Sequence, residues 1–248
     1  MQKIELLAVP GLPMVKAGDD LAQLIAERLT GELALRKGDV LVLAQKIVSK
    51  AEGRLVEIAT VKPSPRAIEL AAEVQKDPRL VELILSESVR VVRSRPNVLI
   101  VEHRLGFVMA NAGIDQSNVA PQDGVERALL LPKDPDASAE ALRAKLGATA
   151  LMIIDSFGRP WRRGTTGVAI GSAGLPALLD LRGNPDLFGR TLMVTISAFA
   201  DELAAAASLV MGQADEAQPV VLVRGLTWKL PATNAAELVR PPSEDLFR

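Results

Sequence analysis

Short apolar runs recur along the chain at residues 3–9, 39–45, 89–92, 97–102, 107–110, 150–154, 192–196 and 219–225, each bounded by turn residues or helical patterning. Their length and their Val, Ile and Leu content predict strands. Helix starts stand between them. Ser64 and Asp77 each precede a proline, which sets a capping side chain before a residue whose fixed φ suits the first helical turn. The alanine-rich stretch 198–212 is helical by propensity, packs close to a neighbour and ends at Gly212, a residue that accepts helix-terminating conformations. Runs 97–102 and 107–110 read as a hairpin. Strands and helices do not alternate regularly enough to force a doubly wound parallel sheet, so the pattern predicts α+β with mixed or antiparallel sheets and packed helices. No repeat or linker divides residues 1–248, which are read as one unit.

Composition narrows the function. With 48% apolar residues over 248 positions, the chain has enough core to fold without metal or disulfide. Lys and Arg number 29 against 30 Asp and Glu, so no basic excess points to nucleic acid or an anionic membrane. No run reaches the roughly 20 apolar residues that span a bilayer, and the N-terminal segment lacks a leader pattern, so the expected location is the cytoplasm. Cysteine is absent, which excludes disulfides, iron–sulfur clusters, thiolate zinc and thiol nucleophiles. His103 is the sole histidine and is read as structural, since His-ligated zinc, and Ser-His-Asp catalysis with a separate histidine ligand, need more than one. Chemistry falls to oxygen and nitrogen groups.

Four segments could supply it. NAGIDQSN, residues 111–118, follows a strand and presents Asp115 and Asn118 on a turn, either toward a cleft or as a self-capping Asx turn. Residues 150–164 run from an apolar strand to Asp155 and Ser156 and then to Arg159, Arg162 and Arg163. A carboxylate beside a hydroxyl suits Mg²⁺ or Mn²⁺, and clustered guanidinium groups suit phosphate, although an ion-paired surface loop has the same composition. Lys46, Lys50 and Arg54 are four apart and form a basic stripe on a helix or on a strand. DLRGNPDLFGR, residues 180–190, offers Arg190 as a phosphate contact or merely caps a turn. Neither a P-loop nor a Rossmann fingerprint is present, and the residues alone support a metal-assisted, phosphate-handling enzyme.

These segments, with GLPMVKAGDDL, ILSES, LLPKDPDASAEALR, ADELAAAASLVMG and PVVLVRG, give the chain a resemblance to the coenzyme F420-0:gamma-glutamyl ligases over nearly its whole length. The resemblance implies a ligase that uses GTP and Mg²⁺ or Mn²⁺, with K⁺ as a possible further ion, to join L-glutamate to the carboxylate of the deazaflavin F420-0 and then to add a γ-linked glutamate. By motif it implies metal binding at Asp115, Asp155, Ser156 and Gln213, the last where some members carry glutamate. It implies nucleotide contacts at Leu12, Pro13, Met14, Val15, Gln45, Lys46, Lys50, Asn118, Met211 and Gly212, with Arg159, Arg162, Arg163 and Arg190 as phosphate-stabilising candidates. The implied assembly is an intertwined homodimer of two closely joined α+β lobes, without the C-terminal flavin-type domain of some relatives. A related ligase acting on another carboxylate-bearing metabolite, and a silent nucleotide-binding regulator, share much of the pattern.

Overall fold

The structure, a computed structural model, describes residues 3–117 and 124–246. Its strands are β1 (Glu5–Ala8), β2 (Val40–Ala44), β3 (Leu55–Glu57), β4 (Ser88–Arg95), β5 (Val98–His103), β6 (Val108–Ala110), β7 (Arg127–Leu129), β8 (Ala150–Arg159), β9 (Arg162–Ala173), β10 (Leu179–Asp180), β11 (Ile196–Ser197) and β12 (Val220–Arg224). The α-helices are α1 (Leu21–Ala26), α2 (Gln45–Ala51), α3 (Pro65–Val74), α4 (Pro78–Ser86), α5 (Pro135–Leu146) and α6 (Phe199–Met211). The class is α+β with mixed sheets.

Five strands form the main sheet in the order β1-β12-β2-β8-β9. β2 and β8 run parallel, and the other neighbours are antiparallel. The runs at the centre are apolar without polar alternation because both faces are covered. Leu41, Leu43, Leu151 and Ile153 pack under α1, α2 and α5, while Val40, Val42, Met152 and Ile154 pack under α6. Helix α6 lies very close to the sheet. Ala200, Ala204 and Ala207 are fully buried, and a Cβ added at Gly167 of β9 would fall 2.4 Å from the Ala204 carbonyl oxygen. Only a glycine permits that approach.

A separate apolar cluster joins α3 and α4 to the sheet β4-β5-β6, around Leu70, Val74, Ile84, Leu99 and Val101. Both helices start as the sequence predicts. Ser64 Oγ accepts from the Ala67 N–H and Asp77 Oδ1 from the Arg79 N–H, caps of a kind worth about 1 kcal/mol each. β5 and β6 form the expected hairpin.

Three segments differ from the sequence reading. Residues 192–196 contribute only Ile196 to a strand. Met193 and Val194 are 74% and 85% exposed, and β-propensity without a partner strand or a covered face does not make a strand. The arginine segment expected as a loop is instead the far part of a long hairpin, in which β8 and β9 remain paired to Arg159 opposite Arg162. The basic stripe resolves as helix, with Lys46 and Lys50 on α2; Arg54 lies beyond the helix end and pairs with Glu87 at 2.9 Å.

Candidate active site

The register brings three strand ends to the middle of β8. Ala8 lies opposite Val221, Val220 opposite Leu43, and Ala44 opposite Ile154. The carboxyl ends of β1 and β2 and the amino end of β12 therefore meet the middle of β8, where Asp155 follows Ile154, and in open α/β sheets ligands bind beyond the carboxyl ends of strands. A cavity of about 770 Å³ opens there.

Each wall of the cavity follows from one of these strands. The chain past β1 supplies Leu12, Pro13, Met14 and Val15; α2, which starts directly from β2, supplies Gln45, Lys46 and Lys50. β8 supplies Asp155 and Ser156, and the segment joining α6 to β12 supplies Met211, Gly212 and Gln213. Asp115 and Ser117 complete the cavity. Asn118 lies outside the described residues.

Asp115 is fixed by its backbone. Its N–H donates to Leu129 O at 3.0 Å, and its carbonyl accepts from the Leu129 N–H at 2.8 Å. The turn before it holds Asn111 and Ala112 at φ 53°, a left-handed conformation that costs a residue with a Cβ about 1 kcal/mol or more and that is stored most often near functional sites. Both readings of this turn are realised at once. Asp115 Oδ1 accepts from the Ser117 N–H at 2.6 Å, an Asx turn, while Oδ2 accepts from Lys46 Nζ at 2.6 Å. Lys46 Nζ also donates to Ser117 Oγ at 2.8 Å.

The two carboxylates titrate differently. Burial pushes Asp115 up, but the Lys46 ammonium and the Ser117 N–H outweigh it and hold the carboxyl below its ordinary range. Burial pushes Asp155 up to about 6; the Ser156 N–H and Lys46 oppose this, and the charge of Asp115 adds to it. Lys50 is lowered by burial and by the like charge of Lys46. The acids and lysines thus sense one another across one cavity.

The oxygen donors fit a divalent cation. Two carboxylates, the Ser156 hydroxyl and the Gln213 amide carbonyl are hard ligands of the kind Mg²⁺ and Mn²⁺ prefer. In this structure Asp115 is paired with the Lys46 ammonium, whereas burial raises Asp155. Among the described residues no three His, Asp or Glu side chains gather as a metal cage.

Other candidates sit elsewhere. Arg159, Arg162 and Arg163 lie on the exposed part of the β8–β9 hairpin, and Arg159 donates to Gly164 O at 3.1 Å. Arg190 is exposed in a loop capped from within: Asp186 accepts from the N–H groups of Phe188 and Arg190, and Asp180 pairs with Arg182 at 2.5 Å. Gln45 is buried and its Oε1 accepts from Ser49 Oγ at 2.8 Å, so its amide oxygen serves the helix. Sequence reasoning missed Ser117 and Glu216 as cavity residues. Ser117 carried a signal, the two-residue spacing of an Asx turn from Asp115; Glu216 carried none, being one acid in a polar loop.

Fold and site together define an α+β protein whose acids and lysines converge on one cleft. Residues 11–225 match the family model described as F420-0:Gamma-glutamyl ligase. The chain is 49% identical to the Coenzyme F420:L-glutamate ligase of Methanothermobacter thermautotrophicus, with 99% of each chain covered. It is 47% identical to the protein of that name from Methanopyrus kandleri, covering 97% of this chain and 96% of the relative, and 47% identical to that of Halobacterium salinarum, covering 88% and 85%. The chain belongs to the F420-0:gamma-glutamyl ligase family, and it is a ligase.

Proposed function

We propose that this ligase uses GTP and a divalent metal to join the α-amine of L-glutamate to the carboxylate of coenzyme F420-0, and then adds a further glutamate through a γ-linkage. The observation that carries this reading is the convergence of Asp115, Asp155, Ser156, Lys46 and Lys50 on one cavity at the carboxyl end of β2, beside the middle of β8.

A carboxylate resists attack by an amine because oxide is a very poor leaving group. Its oxygen first attacks the γ-phosphorus of GTP; the bond to the bridging oxygen breaks, GDP leaves and an acyl phosphate forms. The glutamate amine then attacks the acyl carbon, phosphate departs, and the amine loses a proton. Charge repulsion dominates the first step, since a triphosphate and a carboxylate must meet. Lys46 and Lys50 hold phosphate oxygens, and Asp115, Asp155, Ser156 and Gln213 hold the metal. A metal held by these residues would supply charge neutralisation for the triphosphate and Lewis-acid polarisation of its phosphoryl oxygens. The walls at Leu12–Val15 and Met211–Gly212 limit water access to the acyl phosphate.

The reading extends to a homodimer. Trp161 at the hairpin tip and Leu187, Phe188, Met193 and Val194 in the loop before β11 are 74% or more exposed, a set of large apolar side chains that a second copy would cover. In such a dimer Arg159, Arg162, Arg163 and Arg190 serve at the partner's site. The test of function is incubation with GTP, Mn²⁺, L-glutamate and F420-0, followed by mass analysis. Successive glutamyl additions with release of GDP are expected; GDP formation without glutamylated product would overturn the acceptor, and no dependence on GTP would overturn the mechanism.

A further inference from the structure

The block ILSES, residues 84–88, ends α4 and has no part in the reaction above. Its Glu87 is buried just past the helix, and the carboxylate gathers two guanidinium groups. Oε1 accepts from Arg54 Nη2 at 2.9 Å, and Oε2 accepts from Arg104 Nε at 3.0 Å. Each arginine reaches on to the main chain between β7 and α5. Arg54 Nε donates to Leu131 O at 2.8 Å, while Arg104 donates to Pro132 O at 3.3 Å and to Lys133 O at 2.7 Å. One acid thus orients two planar donor forks that hold three consecutive carbonyl groups.

That segment adjoins both charged walls of the cavity. Arg54 follows α2, the helix of Lys46 and Lys50; its N–H donates to Ser49 O at 2.9 Å, and its carbonyl accepts from the Leu130 N–H at 3.1 Å. Leu131 packs against the turn that leads to Asp115, since a Cβ added at Gly113 would fall 3.0 Å from Leu131 Cγ and Cδ1. Leu129 holds the Asp115 backbone through the paired hydrogen bonds given above. Lys46 and Asp115 meet at 2.6 Å in the cavity, and behind it their supports are joined through Arg54 and residues 129–131.

We propose, on the reading of this cavity as the reaction site, that Glu87 is a positioning residue: by holding Arg54 and Arg104 it fixes α2 against the Asp115 turn, and with them the geometry of phosphoryl transfer. Glu87 itself lies outside the cavity lining. Replaced by a neutral amide, it leaves two guanidinium groups side by side without the charge that gathered them. The helix and the turn then shift apart, and a misplacement of about 1 Å far from the chemistry costs up to about 10²-fold in rate.

The test compares Glu87→Gln with Val74→Ala, which trims a fully buried side chain of the same helical cluster outside the ion-pair network. At a temperature where both are folded, glutamylation of F420-0 with GTP and Mn²⁺ should show kcat about tenfold lower in Glu87→Gln with KM for L-glutamate within about twofold. In Val74→Ala kcat should stay within about twofold of the wild type. Amide hydrogen exchange without substrates should be about tenfold faster over residues 45–51 and 111–117 in Glu87→Gln, and unchanged there in Val74→Ala. A normal kcat in Glu87→Gln overturns the inference, as does an equal loss in Val74→Ala, the mark of a general loss of structure. A lower kcat with wild-type exchange over both segments overturns the route through Arg54. Should Glu87→Gln fail to fold, Arg104→Lys decides by the same two measurements, because it keeps the charge beside Glu87 and gives up carbonyl bonds. About threefold lower kcat with faster exchange over 111–117 supports the inference, and wild-type values overturn it. A wild type that forms no glutamylated product contradicts the proposed function, while exchange, which needs no substrate, still shows whether Glu87 fixes the two walls.

Discussion

Asp155 makes the empty protein less stable than it could be. Its carboxyl rises from 3.8 to about 6, first through burial, so the ionised folded form is disfavoured and stability is lost as pH climbs from about 4 through 6. Asp155→Asn removes that penalty. In the metal-free protein at pH 8 the variant should gain roughly 1–3 kcal/mol by chemical denaturation, while ligation activity disappears. Equal or lower stability would contradict the account of Asp155, and near wild-type turnover would contradict its role. Asp115 and Asp155 drew notice in the sequence as acids that follow an apolar run, a local pattern, and both line the cavity, although Asp155 sits within β8 and not at its end. The arginines were not. Their clustering near Asp155 in sequence suggested a shared site, but β8 and β9 stay paired beyond Ser156 and carry Arg159 and Arg162 away from the cavity wall, a feature of pairing register that spacing alone does not encode.

At the scale of elements, Glu87 ties the helical cluster of α3 and α4 to the segment behind α2. It pairs with Arg54 at 2.9 Å and Arg104 at 3.0 Å, and fully buried His103 faces it at 3.5 Å. His103 Nδ1 accepts from the Leu105 N–H, which leaves Nε2 to carry the proton toward Glu87, as a structural histidine should. Burial would raise Glu87, but the proximity of His103 and the hydrogen bonds from Arg54 and Arg104 prevail and lower it from 4.5 to about 2. The stabilisation is complete above about pH 4.5 and is lost as pH falls toward 2; it amounts to on the order of 3 kcal/mol. Glu87→Gln should therefore be less stable at pH 7 and show a flatter stability profile between pH 4.5 and 2, measured by urea unfolding. An unaltered slope would remove Glu87 from this role. Helix α6 makes a second prediction. Gly167→Ala drives a Cβ into the Ala204 carbonyl, an overpacking that costs about 1–3 kcal/mol, and because Gly167 is the register partner of Ser156, activity should fall more than stability; full activity at wild-type stability would refute the close packing. The caps at Ser64 and Asp77 and the end of α6 at Gly212 were visible in sequence because capping is local. The run at 192–196 misled because a strand exists only where a partner lies beside it.

At the scale of the whole molecule, the exposed apolar residues of the hairpin tip and the 181–195 loop set the question of assembly. Light scattering at micromolar concentration should give twice the chain mass, and Leu187→Asp with Phe188→Asp should give a monomer with reduced activity. A wild-type monomer with full turnover would overturn the dimer and the transfer of arginines across it. The mixed α+β class was legible from irregular strand and helix order, whereas the parallel pairing of β2 with β8, which brings Lys46 and Asp155 to one edge, joins segments far apart in the chain and has no local signature. The account turns on activation of an acceptor carboxylate by phosphoryl transfer in that cleft. Its most direct measurement uses F420-0 labelled with ¹⁸O in the carboxylate. Transfer of one labelled oxygen into the released phosphate during glutamylation is the predicted result, and release of unlabelled phosphate alongside glutamylated product would contradict it.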